Sequence, residues 1–221
     1  INFINKNTEN EKIKESKRDI ITYMRVKAKL IGFLDKPGKN LLTSKKNTLY
    51  DRYIRTIAYF RSPNFDKALL EINSLIRDYP KDPYFYELKG QILAENGYIN
   101  EAIIALTKSL KYKKNSPLIM LSLANLFLEK NKDRISSKKA QNLLNYVLDY
   151  EPDNILAWRL KGISHARLGE IIKADLSAAE EFYRRKDKQN TIYFCKKTIK
   201  NSKKYSTEYT RANDILKIVN Y

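Results

Sequence analysis

The chain has 221 residues, of which 43% are hydrophobic, and its net charge is +18. This length can bury a core in one elongated domain or in two compact ones. The single cysteine, Cys195, excludes an internal disulfide, and the single histidine, His165, leaves too few nitrogen and sulfur ligands for an ordinary zinc site. The sequence contains no run of about 18 apolar residues, which a transmembrane helix would require. Its first residues lack the apolar stretch of a signal peptide.

The first predicted element is an amphipathic helix over Asn10–Leu34. Its apolar residues recur at helical spacing between dense charges: Ile20, Ile21, Met24, Ala28 and Ile31. The helix is expected to end before Pro37, and a polar linker over Lys39–Lys46 completes an N-terminal segment of residues 1–47. Because position 1 is isoleucine rather than methionine, we interpret the sequence as a piece of a longer polypeptide that continues before Ile1.

Internal repeats fill residues 48–184. Four alanines near predicted helix starts are spaced 34, 38 and 34 residues apart: Ala68, Ala102, Ala140 and Ala174. Gly90, Ala124 and Gly162 lie one helix earlier and repeat with the same spacings of 34 and 38. Small residues at these places let two antiparallel helices cross closely. The pattern therefore predicts four helix pairs, with the four extra residues of the third pair in a loop around residues 131–136.

The last segment, residues 185–221, carries helical periodicity over Lys188–Lys204 and Thr207–Val219. Two helices are expected here, and they would cap the end of the repeat array.

A period of 34 residues is that of tetratricopeptide (TPR) repeats, and the chain resembles them over about residues 48–184. One full unit reads DPYFYELKGQILAENGYINEAIIALTKSLKYKKN. The resemblance implies an all-α fold, a superhelical solenoid of antiparallel helix pairs with an N-terminal helix and C-terminal capping helices. It also implies that the chain binds a protein or peptide partner.

Three further features narrow the resemblance: LKG at residues 88–90 and again at 160–162, MRVKAKLIGFLDKP from Met24 to Pro37, and DLSAAEEFYRRKD from Asp175 to Asp187. Together they are similar to the C-terminal TPR region of bacterial BepA-like zinc-dependent metalloproteases. This similarity implies a catalytic HExxH domain that precedes the repeats, is missing from this chain and serves as a partner of the repeats. Zinc is expected only in that domain, so no cofactor is expected here, and the implied location is the periplasm.

In TPR proteins the first helices of the units line a concave groove, which positions 2, 5 and 9 of each unit face. The residues at these positions are Tyr50, Tyr53 and Ile57, then Tyr84, Glu87 and Gln91, then Leu118, Leu121 and Asn125, then Leu156, Arg159 and Ile163. Such an apolar, tyrosine-rich groove suits an extended or helical peptide. A basic clamp for a C-terminal carboxylate is disfavoured because only Asn125 and Arg159 fit one. Alternatively, some of the tyrosines pack against the N-terminal helices or the missing domain.

No catalytic motif is present, since no His-Glu pair is followed by a second histidine. His165 occupies a repeat position that normally holds a large packing residue. Cys195 lies in a basic stretch that could lower its pKa, yet it has no histidine nearby in the sequence and is interpreted as an ordinary helix residue. The chain is therefore not expected to be an enzyme.

The basic clusters are spread along the chain and are interpreted as solvated helix faces, which disfavours nucleic acid as a partner. The densest are Lys108 to Lys114, Arg184 to Lys188 and Lys196 to Lys204. Two alternatives stay open beside the protease-linked module. One is a stand-alone TPR scaffold, and the other is electrostatic binding of nucleic acid or an anionic membrane, which would fall steeply with salt.

Overall fold

The computed structural model describes residues 19–130 and 132–220, which form α-helices joined by short connections and contain no β-strand. The chain divides into two compact units, Ile1–Asn96 and Gly97–Tyr221. We call them the first and the second unit. The division falls between the two helices of the second predicted pair rather than at residue 47 or 184.

Helix α1 is described from residue 19 and ends at residue 34, so residues 10–18 of the predicted first helix lie outside the described part. The helices that follow are α2 (Pro37–Thr43), α3 (Leu49–Arg61), α4 (Phe65–Asp78), α5 (Pro83–Glu95), α6 (Ile99–Tyr112), α7 (Pro117–Lys130), α8 (Arg134–Tyr150), α9 (Ile155–Arg167), α10 (Ile171–Arg184), α11 (Lys188–Asn201) and α12 (Thr207–Asn220). Consecutive helices pack against each other from α2 to α5 and from α6 to α12.

Side chains just before the helices explain where several of them begin. A polar side chain at the N-cap accepts a hydrogen bond from the backbone N–H two or three residues later and so satisfies one of the free donors of the first turn. These caps are Thr48 (α3), Asn64 (α4), Asp82 (α5), Asp133 (α8), Asn154 (α9) and Asp187 (α11). The turns at Gly97 and Gly169 have φ of +81° and +79°, a backbone conformation that costs glycine little.

The core of the first unit lies between α1, α3, α4 and α5. Its fully buried side chains include Tyr53, Ile57, Ile72 and Phe85, and Ala28 joins them from α1. The rings of Tyr53 and Phe85 meet edge to face with centroids 5.2 Å apart. Such a pair is worth about 1 kcal/mol beyond the area that it buries.

Two apolar clusters support the second unit. The first joins α7, α8 and α9 through buried residues that include Ala124, Ala140, Leu144 and Leu160. The second joins α10, α11 and α12 through Ala179, Cys195, Ala212 and Ile215. Cys195 follows Gly162 by 33 residues and holds, in the fifth helix pair, the place that a small residue holds in the earlier ones.

The predicted polar linker over Lys39–Lys46 is wrong in its first half, because α2 occupies Pro37–Thr43. Pro37 lies in the first turn, where the missing N–H of proline has no cost. The Asn40 side chain is buried and donates a 3.2 Å hydrogen bond to the Ile31 carbonyl, which ties α2 to α1. Polar composition thus misled the prediction, since the polar residue at the centre of this segment is a packing residue.

The four extra residues of the third pair do not form a loop insertion. Helix α7 ends at Lys130 and α8 begins at Arg134, so these helices are as close in the sequence as α9, which ends at Arg167, and α10, which begins at Ile171. The extra length lies instead in the helices, because α7 and α8 have 14 and 17 residues where α9 and α10 have 13 and 14. Asp133 accepts a 2.7 Å hydrogen bond from Ser136 N and starts α8 early.

Candidate functional site

In the first unit, α1 lies on the surface that the sequence assigns to a peptide groove. We call this surface the α3–α5 face and define it by Tyr50, Tyr53, Ile57, Tyr84 and Glu87. Arg25 of α1 makes the closest polar contact with the helices of this face. Its Nη1 donates to Asp82 Oδ2 at 2.5 Å, with the two side chains only 10% and 9% exposed. Its guanidinium carbon also lies 3.9 Å from the centroid of the Tyr84 ring, at cation–π distance.

Two lysines of α1 extend this contact along the face. Lys29 Nζ lies 3.4 Å from Glu87 Oε1. Lys27 Nζ lies 5.8 Å from the centroid of the half-buried Tyr50 ring. Tyr50, Tyr84 and Glu87 are therefore contacts of α1 in this structure.

The centre of the contact is formed by small residues. Ala28 is fully buried in the cluster that contains Tyr53 and Ile57. At Gly32, an added Cβ would lie 2.8 Å from Ile57 Cδ1 and 2.9 Å from Ile57 Cβ, so only glycine permits this approach of α1 to α3. The Gly32 and Asp35 carbonyls at the end of α1 accept hydrogen bonds of 2.9 and 2.6 Å from Arg61 Nη1.

The expectation that Tyr53 and Ile57 contact a peptide needs correction, because both side chains are fully buried. They are core residues that α1 covers. This agrees with the alternative prediction that some of the groove tyrosines pack against the N-terminal helices. The Tyr53 hydroxyl finds no hydrogen-bond partner within residues 19–130 and 132–220. Burial, with a smaller contribution from the Glu87 charge, raises the Tyr53 pKa, so the phenol stays protonated. Gln91 lies outside the contact, is exposed and donates to Glu95 Oε1 at 3.0 Å.

The second unit keeps an open surface at the corresponding positions of α7 and α9, two helices that touch each other. We call it the α7–α9 face and define it by Leu118, Asn125, Leu156, Arg159 and Ile163, all of which are exposed. The three apolar side chains are 61%, 46% and 36% exposed, in that order. No carboxylate of the described residues pairs with Arg159. This face therefore combines apolar contact area with one available cation and one available amide.

Leu121 is not part of this face, although the sequence places it in the groove. Its side chain is only 8% exposed and packs with Ala124 and Leu128 in the core of the second unit. Ala124 and Leu128 follow Leu121 by three and seven positions. Residues at this spacing lie on the same side of an α-helix, so Leu121 faces the core.

His165 belongs to a buried polar cluster. Its Nδ1 lies 2.5 Å from Glu170 Oε2, and Gln141 Nε2 lies 3.1 Å from the same oxygen. Desolvation lowers the His165 pKa, and the hydrogen bond from His165 lowers the Glu170 pKa. The arrangement is satisfied by a neutral imidazole that donates from Nδ1 to an ionised Glu170, with Gln141 as a second donor.

Cys195 is fully buried, and burial raises its pKa to about 11. This direction is opposite to the one that its basic sequence neighbours suggest, because desolvation, with a smaller contribution from the Glu180 charge, outweighs the charge of Arg211. A thiol with such a pKa is a poor nucleophile at neutral pH.

Within the described ranges, no three His, Cys, Asp or Glu side chains lie close enough together to hold a metal ion. None of the described helices is long and apolar enough to span a membrane.

Comparison with known proteins defines the fold. No protein-family model matches the chain, and no curated protein matches it in sequence. A crystal structure of MamA superposes with a TM-score of 0.57 at 15% identity and covers 75% of this chain and 97% of its own. MamA from Desulfovibrio magneticus RS-1, residues 41 to the end, gives 0.56 at 17% identity, with 84% and 94% covered. A tetratricopeptide repeat protein from Parabacteroides merdae gives 0.50 at 18%, with 77% and 73% covered.

These comparisons confirm the all-α class and show that the chain has a TPR-like helical-repeat fold. They give no support to a BepA-like relationship. The predicted groove residues divide between two situations. Those of the first unit, except the exposed Gln91, lie against α1 or in the core, whereas most of those in the second unit are open. Sequence reasoning missed Arg25 and Asp82, because they are 57 residues apart and read only as charges of an amphipathic helix and a helix cap.

Proposed function

We propose that the chain is a protein-interaction module whose α7–α9 face binds a segment of another protein. The observation that carries this proposal is the exposure of Leu118, Leu156 and Ile163 beside Asn125 and Arg159 on two adjoining helices of a TPR-like fold. In such a face the apolar side chains supply contact area, and the few polar groups fix the register of the bound segment.

The chemistry of this face defines the partner segment. Its apolar side chains would cover Leu118, Leu156 and Ile163, and a carboxylate would meet the Arg159 guanidinium. Arginine is suited to such a partner because its planar fork can donate two parallel hydrogen bonds to one carboxylate. The bound segment is therefore apolar with at least one aspartate or glutamate.

The test is site-specific photo-crosslinking in the cells that make the protein. A benzoylphenylalanine at position 118 or 163 should give a discrete adduct with one protein, and Arg159→Glu should abolish that adduct. Position 104 is the matched control, because Ile104 is also exposed, at 61%, but lies on α6. Equal adducts from positions 118 and 104, or none from 118, would exclude this face as the binding site.

A narrower proposal is that the module serves a periplasmic zinc-dependent metalloprotease domain joined to it. The sequence similarity in LKG, MRVKAKLIGFLDKP and DLSAAEEFYRRKD supports it. The natural full-length protein should then contain zinc and cleave unfolded protein, and its fusion to alkaline phosphatase should be active in a Gram-negative cell. A full-length protein without zinc or peptidase activity would leave the scaffold as the function.

The second candidate function is electrostatic binding of nucleic acid or an anionic membrane, which the net charge of +18 favours. It predicts that the purified chain binds DNA or anionic lipid vesicles, and that this binding weakens steeply as the salt concentration rises. Contact through the apolar α7–α9 face would depend on salt far less.

A further inference from the structure

We propose that the α3–α5 face is itself a binding site for a basic amphipathic helix, and that α1 is its resident, exchangeable occupant. The partner helix would carry arginine, with small residues three and seven positions later. This inference does not depend on the α7–α9 face, since every residue that carries it lies in the first unit.

The first argument is the specificity of the contact. The face offers the Asp82 carboxylate and the Tyr84 ring to one guanidinium, and Glu87 to one ammonium group. A charge pair that is nine-tenths buried is costly unless both charges are present. The site therefore selects a helix with arginine at this place and rejects one that leaves Asp82 unpaired.

The second argument is steric. Helix axes approach closely only where the contact residues are small, and α1 supplies Ala28 and Gly32 three and seven residues after Arg25. At Gly32 even a Cβ would come within 3.0 Å of three Ile57 side-chain atoms. The order of arginine, alanine and glycine is the recognition pattern of the face.

The third argument concerns how strongly α1 is attached to the rest of the first unit. The large apolar residues Tyr23, Val26, Leu30 and Leu34 of α1 recur three or four positions apart and are 51 to 78% exposed. We call them the outer stripe. The apolar side chains that α1 turns toward the core, Ile21, Ile31 and Phe33, are only partly buried. The attachment thus relies on charge pairing and small-residue contact more than on large apolar side chains, which favours exchange.

The experiment uses the full chain and a fluorescent synthetic peptide of residues 19–36. Gly32→Leu in the chain should displace α1, because Ile57 leaves no room for the new side chain. We expect the peptide to bind this variant at least about tenfold more tightly than the natural chain, in which the tethered helix competes at high effective concentration. Circular dichroism checks that the variant keeps its helices, and if it unfolds, Arg25→Glu in the chain takes its place.

Peptide variants test the recognition pattern. Arg25→Glu in the peptide should weaken binding about tenfold or more, and Leu30→Ser, on the outer stripe, should leave it unchanged. Lys29→Glu in the peptide should weaken binding and regain it when the chain carries Glu87→Lys. Peptide that fails to bind a folded Gly32→Leu chain, or that binds equally with Arg25→Glu, would overturn the proposal. Leu118→Asp in the chain should not change any of these affinities, which separates this site from the α7–α9 face.

Discussion

Lys89 Nζ donates a 2.7 Å hydrogen bond to Asn73 Oδ1, whereas no hydrogen bond joins the described side chains of Lys161 and Asn145. Both residues of the second pair follow those of the first by 72 positions, so the two pairs occupy the same places in the repeat. Lys161 and Asn145 instead line an open cavity of about 440 Å³ beside Trp158. Lys161 Nζ lies 5.1 Å from the centroid of the Trp158 ring, and burial lowers the Lys161 pKa because its charge is poorly solvated in the folded chain.

We predict that Lys161→Met raises the free energy of unfolding at pH 7 by no more than about 1 kcal/mol, because the charge that it removes is half-exposed and its contact with Trp158 is lost. A lysine whose pKa is lowered by folding destabilises the fold while it is charged. The advantage of the variant should therefore shrink as the pH rises from the folded-state pKa toward 10.5. Urea unfolding at several pH values measures both effects. Lys89→Met is the matched control and should not stabilise, because it removes the bond to Asn73.

The two glycines inside α1 and α9 should respond in opposite directions to alanine. A Cβ at Gly162 would meet its nearest neighbour, Ser177 Cβ, at 3.5 Å, which is ordinary contact. Gly162→Ala should thus stabilise by about 0.5–1 kcal/mol, the usual gain in a helix interior. Gly32→Ala should destabilise the docking of α1, because its Cβ would lie 2.8 Å from Ile57. Thermal melts and hydrogen exchange of residues 19–34 would show the contrast, and equal shifts in the two variants would contradict it.

Cys195 should be unreactive toward a disulfide reagent in the folded chain. Its pKa of about 11 means that raising the pH from 8 to 9.5 adds little thiolate in the folded state, whereas the unfolded chain ionises near 9.0. The thiol also stabilises the fold below pH 9, and this contribution is lost as the pH rises toward 11. Labelling with and without guanidinium chloride checks the first statement. Rapid labelling of folded protein would show that α10, α11 and α12 open readily.

His165 should make the fold sensitive to mild acid. Because folding lowers its pKa, the unfolded chain binds more protons just below 6.5, and stability falls as the pH drops through that region. Glu170 adds a second loss below 4.5, since its pKa is also lowered. His165→Gln keeps a donor for Glu170 and removes the first loss. A melting temperature that falls equally in both proteins between pH 6.5 and 5 would contradict the assignment of a neutral imidazole.

The repeat pattern predicted the helix pairs well for a physical reason. Close crossings demand small residues at regular intervals, so four alanines mark the register. Ala68, Ala102 and Ala140 are fully buried, and Ala174 is half-buried. The predicted repeat region of residues 48–184 accordingly corresponds to α3 through α10. The spacing of small residues along the sequence was therefore enough to predict the fold class, without knowledge of any contact between distant residues.

The candidate site was harder to predict, because the register of α1 depends on partners far along the chain. This helix carries apolar residues on two sides, and its pattern alone does not tell which side faces the protein. Gly32 and Arg25 decide it, through Ile57 and Asp82, and neither contact leaves a periodic signal. Tyr53 and Ile57 are buried because α1 packs over them, and their repeat positions alone do not predict this burial.

The early start of α8 shows how one helix pair of this chain is longer than the next without a change in its core. Three residues added to a helix lengthen it by about 4.5 Å, and the new turn, with Ile135 71% exposed, sits at one tip. Ala140 keeps its crossing with the neighbouring helices, so the insertion leaves the shared core undisturbed. A helix pair can thus gain one turn at its tip while its helices keep the spacing that Ala140 sets.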